Sequence, residues 1–314
     1  MPQTDRTQEP SFHFHKYCEY CKTECEFIEV TSDYMLITNF WNEFDNIERF
    51  FHRIAQQSIK PKVWLWIDDG STDGSADEVR RLTKSIPGVE VWLEVMPVKL
   101  KGNLDTLGRA YDQTLPRLLK TIDEYEIDYA AIMDVDNDPC QNYCARMMWL
   151  LDNHPEVGAA AGIPVGEEDK RKVGLPMGGG KFIRWSIMKT ITKYWDIAPD
   201  TLLNIKALAN GYILRTWPVP MNLDRLTTGF TSKGVFRQGR LQYYVGRPFW
   251  PVFFRALRRL LLRQHGTQML RGYLLERKRG TWRFDDRDVC TFFNKGRNPL
   301  SAFQDMIRFS GASE

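Results

Sequence analysis

No stretch of this chain approaches the roughly eighteen consecutive apolar residues that cross a bilayer, and Met1–Glu26 lacks the apolar core of a secretory leader. The expectation is a cytoplasmic protein, free or peripheral on the cytoplasmic face of a membrane. Cysteine is sparse, six in 314 residues, which argues against a disulfide framework in such a compartment. No internal repeat is visible, and no Pro/Gly/Ser-rich linker marks off independent domains. Acid is almost missing from one region. Residues 233–283 hold thirteen Lys or Arg and a single acid, Glu276. The whole chain carries +3, so +12 there leaves −9 for the remainder. That asymmetry implies contact with something anionic, either phosphates or a membrane surface. Nucleic acid is not expected, because no recognisable nucleic-acid module accompanies the charge.

With 43% hydrophobic residues the chain can bury a substantial core. Apolar strand candidates alternate with amphipathic helices. Tyr34–Thr38 reads as a strand, and Asp45–Gln56 as a helix with Ile47, Phe50, Phe51 and Ile54 at helical spacing. Val63–Ile67 is a second strand, followed by a helix through Ala76, Val79, Leu82 and Ile86. Val89–Val95 is a third strand, and a helix through Leu107, Ala110, Tyr111, Leu115 and Leu118 contains Pro116 as a possible kink. Tyr129–Met133 is a fourth strand, and the helix holding Ala145–Leu151 follows. This order predicts an α/β domain with a mainly parallel sheet covered on both faces. Ligands of such sheets sit beyond the carboxyl ends of the strands.

Two acidic clusters stand at those ends: IDDGSTDGS (Ile67–Ser75) after the second strand and DVDND (Asp134–Asp138) after the fourth. On an extended segment Asp134 and Asp136 project to one side, where they suit a hard divalent cation such as Mg²⁺ or Mn²⁺. Such an ion screens two phosphates and the charge of a departing diphosphate. Gly70 and Gly74 permit a tight strand-to-helix turn, and Ser71 or Asp73 could cap the helix beyond it. An EF-hand reading fails twice: from Asp69 the twelfth position is Arg80 rather than Glu, and from Asp134 the sixth is Pro139 rather than Gly.

The segment LITNFWNEFDNIERFFHRIAQQSIKPKVWLWIDDGSTDGSADEV, with MDVDNDP further on, resembles the family 2 glycosyltransferases. Asn42 and Glu43 match that family's Asn-Glu turn, and Asn39 stands where proline is usual. The resemblance runs from about Tyr34 to Gly211. It implies a GT-A fold, a Rossmann-like nucleotide half joined to an acceptor half, and inverting transfer of a hexose-type sugar from a nucleoside-diphosphate sugar. It further implies a nucleotide site of Asn42, Glu43, Asp68, Asp69 and Asp134, with Asp134 and Asp136 handling metal and diphosphate. The family's base precedes a helix ending in Gly-Tyr. In WDIAPDTLLNIKALANGY (Trp195–Tyr212) the matching aspartate is Asp200, with Pro199 in place of the usual glutamate and Asp196 in reserve. In MGGGKFIRW (Met177–Trp185) three glycines permit close approach of backbone to ligand, and Lys181 and Arg184 are candidate phosphate partners.

The expected organisation is a polar arm (1–30), a catalytic domain (31–225, its nucleotide half 31–138 and acceptor half 139–225) and a basic helical extension (226–314). Arg237 and Arg240 lie in a Gly-containing stretch that could close over a diphosphate. The helix around Phe253–Leu262 carries an apolar face and an arginine face, which suits either an anionic membrane surface or ordinary packing with arginines in water. A membrane location would favour a lipid-linked saccharide or polyprenyl phosphate acceptor; a soluble saccharide is the other case. In the arm, His13, His15, Cys18, Cys21 and Cys25 form a weak zinc candidate, whereas Cys140 and Cys144 read as buried packing residues. Two other readings compete. A sugar-phosphate nucleotidyltransferase needs a Gly-rich loop after the first strand, where this chain has FWNEFDN. A silent membrane-docking scaffold has no need of intact acidic motifs.

Overall fold

The computed structural model describes residues 17–18, 23–24, 28–98, 107–165, 176–194, 199–223, 231–281 and 283–293. His13, His15, Cys21, Cys25 and Asp196 lie outside them. Two short strands, β1 (Tyr17–Cys18) and β2 (Thr23–Glu24), pair antiparallel. The main sheet has eight strands, β3 (Tyr34–Phe40), β4 (Val63–Asp68), β5 (Glu90–Val95), β6 (Tyr129–Ile132), β7 (Asn137–Pro139), β8 (Val157–Pro164), β9 (Lys181–Arg184) and β10 (Ile213–Leu223). Their spatial order is β5-β4-β3-β6-β9-β8-β10-β7. The first four are mutually parallel, and β9 is antiparallel to both its neighbours.

Side chains alternate across the sheet with period two, and this divides the core into two layers. Met35, Ile37, Val63, Leu65, Ile67, Ala130 and Ile132 face one layer. Tyr34, Leu36, Trp64, Trp66, Tyr129 and Ala131 face the other. Every residue of β3 and β4 is buried, as expected of strands covered on both sides. Helices α1 (Phe44–Ala55), α2 (Ser75–Leu82) and α4 (Tyr143–Asn153) close the Trp64 side. Helices α3 (Leu107–Tyr125), α5 (Trp185–Met188) and α6 (Pro199–Ala209) close the Leu65 side. Helix α3 continues through Pro116 without a break.

Four more helices follow: α7 (Ser232–Tyr244), α8 (Phe249–Leu261), α9 (Gly266–Arg279) and α10 (Arg287–Phe293). They are not detached from the sheet. Leu241, Tyr244, Val245, Phe284, Val289 and Phe293 belong to the same apolar layer as Leu65 and Ile132. Lys206 of α6 donates to Asp286 (2.7 Å) and Asp288 (2.8 Å), which ties α10 to α6. A second, smaller cluster of Val235, Tyr243, Val252, Ala256, Met269 and Tyr273 holds α7, α8 and α9 together. Where α7 crosses α9 the backbones touch. A Cβ on Gly239 would collide with the Met269 carbonyl, and one on Gly272 with the Phe236 carbonyl.

Candidate active site

The chain leaves β3 for β4 on one side and later returns to β6 on the other, so a crevice opens above the β3/β6 pair. A cleft of about 260 Å³ lies there, lined by Asn39, Phe40, Trp41, Glu43, Asp69, Asp134, Val135 and Asp136. Both acidic clusters therefore open onto one space.

The segment Asn42–Phe44, from which Glu43 lines the cleft, is fixed by the loop after β4. Asn42 adopts φ 53°, in the left-handed region that Asn tolerates better than most residues. Its N–H donates to Ser71 Oγ (2.9 Å), and its side-chain oxygen accepts from Thr72 N–H (2.9 Å). Glu43 N–H donates to Ser75 Oγ (2.9 Å). Asp73 accepts from Phe44 N–H (3.1 Å) and from Ser75 N–H (3.0 Å), so one carboxylate serves the N-termini of both α1 and α2. Against the cost of desolvation, the bonds from Ser75 and Phe44 hold the Asp73 carboxyl below its ordinary value. Ser71, the other cap candidate, instead donates its N–H to Asp68 Oδ1 (2.8 Å).

Asp68 and Asp69 have different places. Asp69 lines the cleft, whereas Asp68 is buried beneath it, with Oδ2 lacking any hydrogen-bond partner among the described residues. Asn39 Oδ1 is a second buried acceptor of this kind, while its amide donates to the Tyr111 hydroxyl (2.7 Å). Buried acceptors left open beside a cleft suit a ligand that brings N–H or O–H donors.

The sequence pattern places Asp134 and Asp136 on an extended segment, and the structure corrects this. They occupy a tight turn closed by Asn137 N–H donating to the Asp134 carbonyl (2.9 Å). The Asn137 side chain accepts from Asp134 N–H (2.9 Å) and donates to Asp136 Oδ1 (3.3 Å), which braces the turn, and both Asp134 and Asp136 line the cleft. Residues 137–139 then pair with Leu223–Met221 of β10, which pins the turn to the second half of the sheet.

Asp200 reaches the same neighbourhood through the three glycines. The Asp200 carboxylate packs on Gly178, 3.1 Å from where a Cβ would lie, and the Asn137 amide packs on Gly179 at 2.7 Å. Consecutive residues thus carry the candidate base and the side chain that shapes the Asp134–Asp136 turn. Gly180, with φ 70°, makes room for the Tyr143 hydroxyl. These glycines accommodate side chains of the chain itself. Tyr111 supplies a second link. Burial raises its phenol above the ordinary value, the bond from Asn39 opposes this, and the charges of Asp134 and Asp200 both add to it.

Three candidate phosphate partners are engaged by groups of the protein itself. Lys181 is fully buried, and its Nζ donates to the Asp200 carbonyl (2.7 Å). Burial pulls its ammonium down to about 8, with the Asp200 charge opposing. Arg184 lies at the far end of the sheet, donating to the carbonyls of Val157 (2.7 Å), Leu151 (2.6 Å) and His154 (3.1 Å), where it closes the C-terminus of α4. Arg240 pairs with the buried Glu276 (2.6 Å), joining α7 to α9. Arg237 is exposed on α7. Asn39, Trp41, Tyr111 and Asn137 are site residues that sequence reasoning missed. Cys140 and Cys144 are buried, and burial pushes the Cys144 thiol up to about 12.

The family described as Glycosyl transferase family 2 matches residues 35–201, from β3 to the start of α6, just over half the chain. A search of curated proteins found none that matches. Among solved structures, the fold is similar to the mannosyltransferase PcManGT from Pyrobaculum calidifontis in complex with GDP-Man and Mn²⁺, at 16% identity and TM-score 0.53, covering 92% of this chain and 87% of that one. Glucosyl-3-phosphoglycerate synthase from Mycobacterium tuberculosis, in complex with Mn²⁺, UDP and glucosyl-3-phosphoglycerate, matches at 13% identity and TM-score 0.49, over 68% and 79% of the two chains. TarS from S. aureus, in complex with UDP, matches at 14% and 0.46, over 65% and 64%. With its acidic motifs gathered at one crevice of a GT-A sheet, the chain belongs to the family 2 glycosyltransferases.

Proposed function

We propose that this enzyme transfers a sugar from a nucleoside-diphosphate sugar to an acceptor hydroxyl with inversion, Asp200 acting as general base. The observation that carries the reading is the pair of glycine contacts that seats Asp200 beside the Asn137-braced turn of Asp134 and Asp136.

The donor set fits a metal shared with substrate. Among the described residues no group of three or more His, Cys, Asp or Glu side chains forms a complete metal site. Two carboxylates on one turn match the habit of Mg²⁺ and similar ions, which take one or two protein oxygens and complete their shell with phosphate and water. When bound, a divalent ion supplies neutralisation of the diphosphate charge as the leaving group departs.

The remaining work belongs to the chain. Asp69, with the open acceptors on Asn39 and Asp68, suits the N–H and O–H groups of a nucleoside. Trp41, 42% exposed at the lip of the cleft, offers an aromatic face to a base. On the acceptor side, Asp200 takes the hydroxyl proton while the acceptor oxygen bonds to the anomeric carbon. The bond from that carbon to the diphosphate oxygen breaks, and its electron pair leaves with the nucleoside diphosphate. A single displacement with Asp200 as base inverts the anomeric centre. Lys181 holds the Asp200 carbonyl and thereby fixes the start of α6.

Asp200→Asn tests the assignment. Turnover should fall by about three decades or more while donor affinity changes little. Near-normal turnover removes Asp200 from the role of base.

A further inference from the structure

Helix α8 turns its apolar stripe outward. Its anchor is Pro251, Val252 and Ala256, the last two packed with Val235, Met269 and Tyr273. Positions 250, 254, 257 and 261 share another face at 3.6 residues per turn. There Trp250 is 41% exposed, Leu257 37% and Leu261 76%, and Leu260 and Leu262 are exposed beside them. Trp250, Phe253 and Phe254 make a cluster of ring contacts along this face. A helix that serves only to cover its own core would turn such a stripe inward, and contiguous exposed apolar surface marks an interaction site.

The charge around the stripe has one sign. Arg255, Arg258 and Arg263 lie on α8 or just after it, and Arg271, Arg277 and Lys278 on α9 are exposed. Glu276, the lone acid of residues 233–283, is buried and bonded to Arg240 and Thr281. The segment therefore presents arginines around leucine and tryptophan with no acid of its own at the surface. No helix among the described residues is long and apolar enough to cross a membrane, so any lipid engagement by them would lie along the surface.

We propose that α8 docks this enzyme on an anionic lipid surface, lying in the interfacial plane with Trp250, Leu257 and Leu261 in the acyl boundary and the arginines among the headgroups. Charge selects this occupant. A second copy on the same face would bring two segments of net +12 together, whereas anionic headgroups neutralise one.

Flotation of the full chain with phosphatidylcholine vesicles and with mixed phosphatidylcholine–phosphatidylglycerol vesicles tests the proposal. Recovery is expected with the anionic vesicles, little with the neutral ones, and less as salt is raised. The double substitution Leu257→Glu with Leu261→Glu should lower anionic-vesicle partition roughly ten-fold or more. Leu261→Ser is the milder variant, chosen because that side chain is so exposed, and it should lower partition while leaving the melting temperature at the wild-type value. The proposal is overturned if the wild type fails to float with anionic vesicles, or if both variants float as it does. A vesicle-free dimer that Leu261→Ser dissociates would also overturn it, assigning the face to a second copy.

Discussion

At the scale of single residues, the site depends on side chains that hold other side chains. Asn137 touches both Asp134 and Asp136 and rests on a glycine, so the shape of their turn depends on Gly179. A methyl at that position would lie 2.7 Å from the Asn137 amide, too close for either to stay. Gly179→Ala should displace Asn137 at a cost of about 1–3 kcal/mol. It should also raise the Mn²⁺ concentration needed for half-maximal activity, read in a metal titration. An unchanged titration would mean that the turn keeps its shape without Asn137. The aspartates themselves were legible in the sequence because acidic residues after an apolar strand have little business in a core. Asn137 and Tyr111 were not. Tyr111 stands at helical spacing among Leu107 and Ala110 and reads as packing, and its link to Asn39 spans 72 positions. The arginines misled for the opposite reason. Charge near a motif suggests substrate, yet the fold assigns Arg184 to helix-end carbonyls and Arg240 to Glu276.

At the scale of elements, Asp73 is the joint between two helices. Its carboxylate satisfies the first free N–H groups of α1 and α2 together. Asp73→Ala should therefore cost about 1–2 kcal/mol, at the upper end for a lost cap, and lower the melting temperature. Asp73→Asn, which keeps an acceptor for one helix, should fall between. Equal loss in both variants would point to charge rather than to bridging. The strands β3, β4 and β6 were readable because each is a compact apolar run, and β5 because Val91, Trp92 and Leu93 stand together between two glutamates. Strand β8, VGAAAGIP, carries small residues that give no period. Strand β10 holds Pro218 and Pro220, which ordinarily argue against a strand. Its register against β8 shifts between Thr216 and Pro220, so Pro218 falls inside the irregularity, and pairing resumes with Pro220 opposite Ile163. Amphipathicity of α8 was also evident in the sequence. Which face met solvent was not, since that depends on what α7 and α9 leave uncovered.

At the scale of the whole molecule, the cleft joins the two halves of the sheet. One wall comes from the exits of β3 and β4, the other from the turn that β10 anchors. A ligand bridging those walls stabilises the folded chain by mass action. Nucleotide sugar at about 100 times its Kd adds about 2.7 kcal/mol, which should appear as a rise of a few degrees in melting temperature. The Mn²⁺-dependent part of that rise should vanish in a variant carrying Asp134→Ala and Asp136→Ala. If it persists, the metal is held elsewhere. Run over a panel of donors, the same measurement identifies the nucleotide and the sugar.

The crossing of α7 and α9 fixes how closely those two helices lie. With glycine at both points of touch, no side chain separates the two backbones there, while Val235, Tyr243, Met269 and Tyr273 pack around them. A larger residue at either glycine would drive the helices apart. The far end of α7 is planted, through Leu241 and Tyr244, in the apolar layer beneath the sheet that also receives Leu202 and Leu203 of α6, the helix at whose start Asp200 stands.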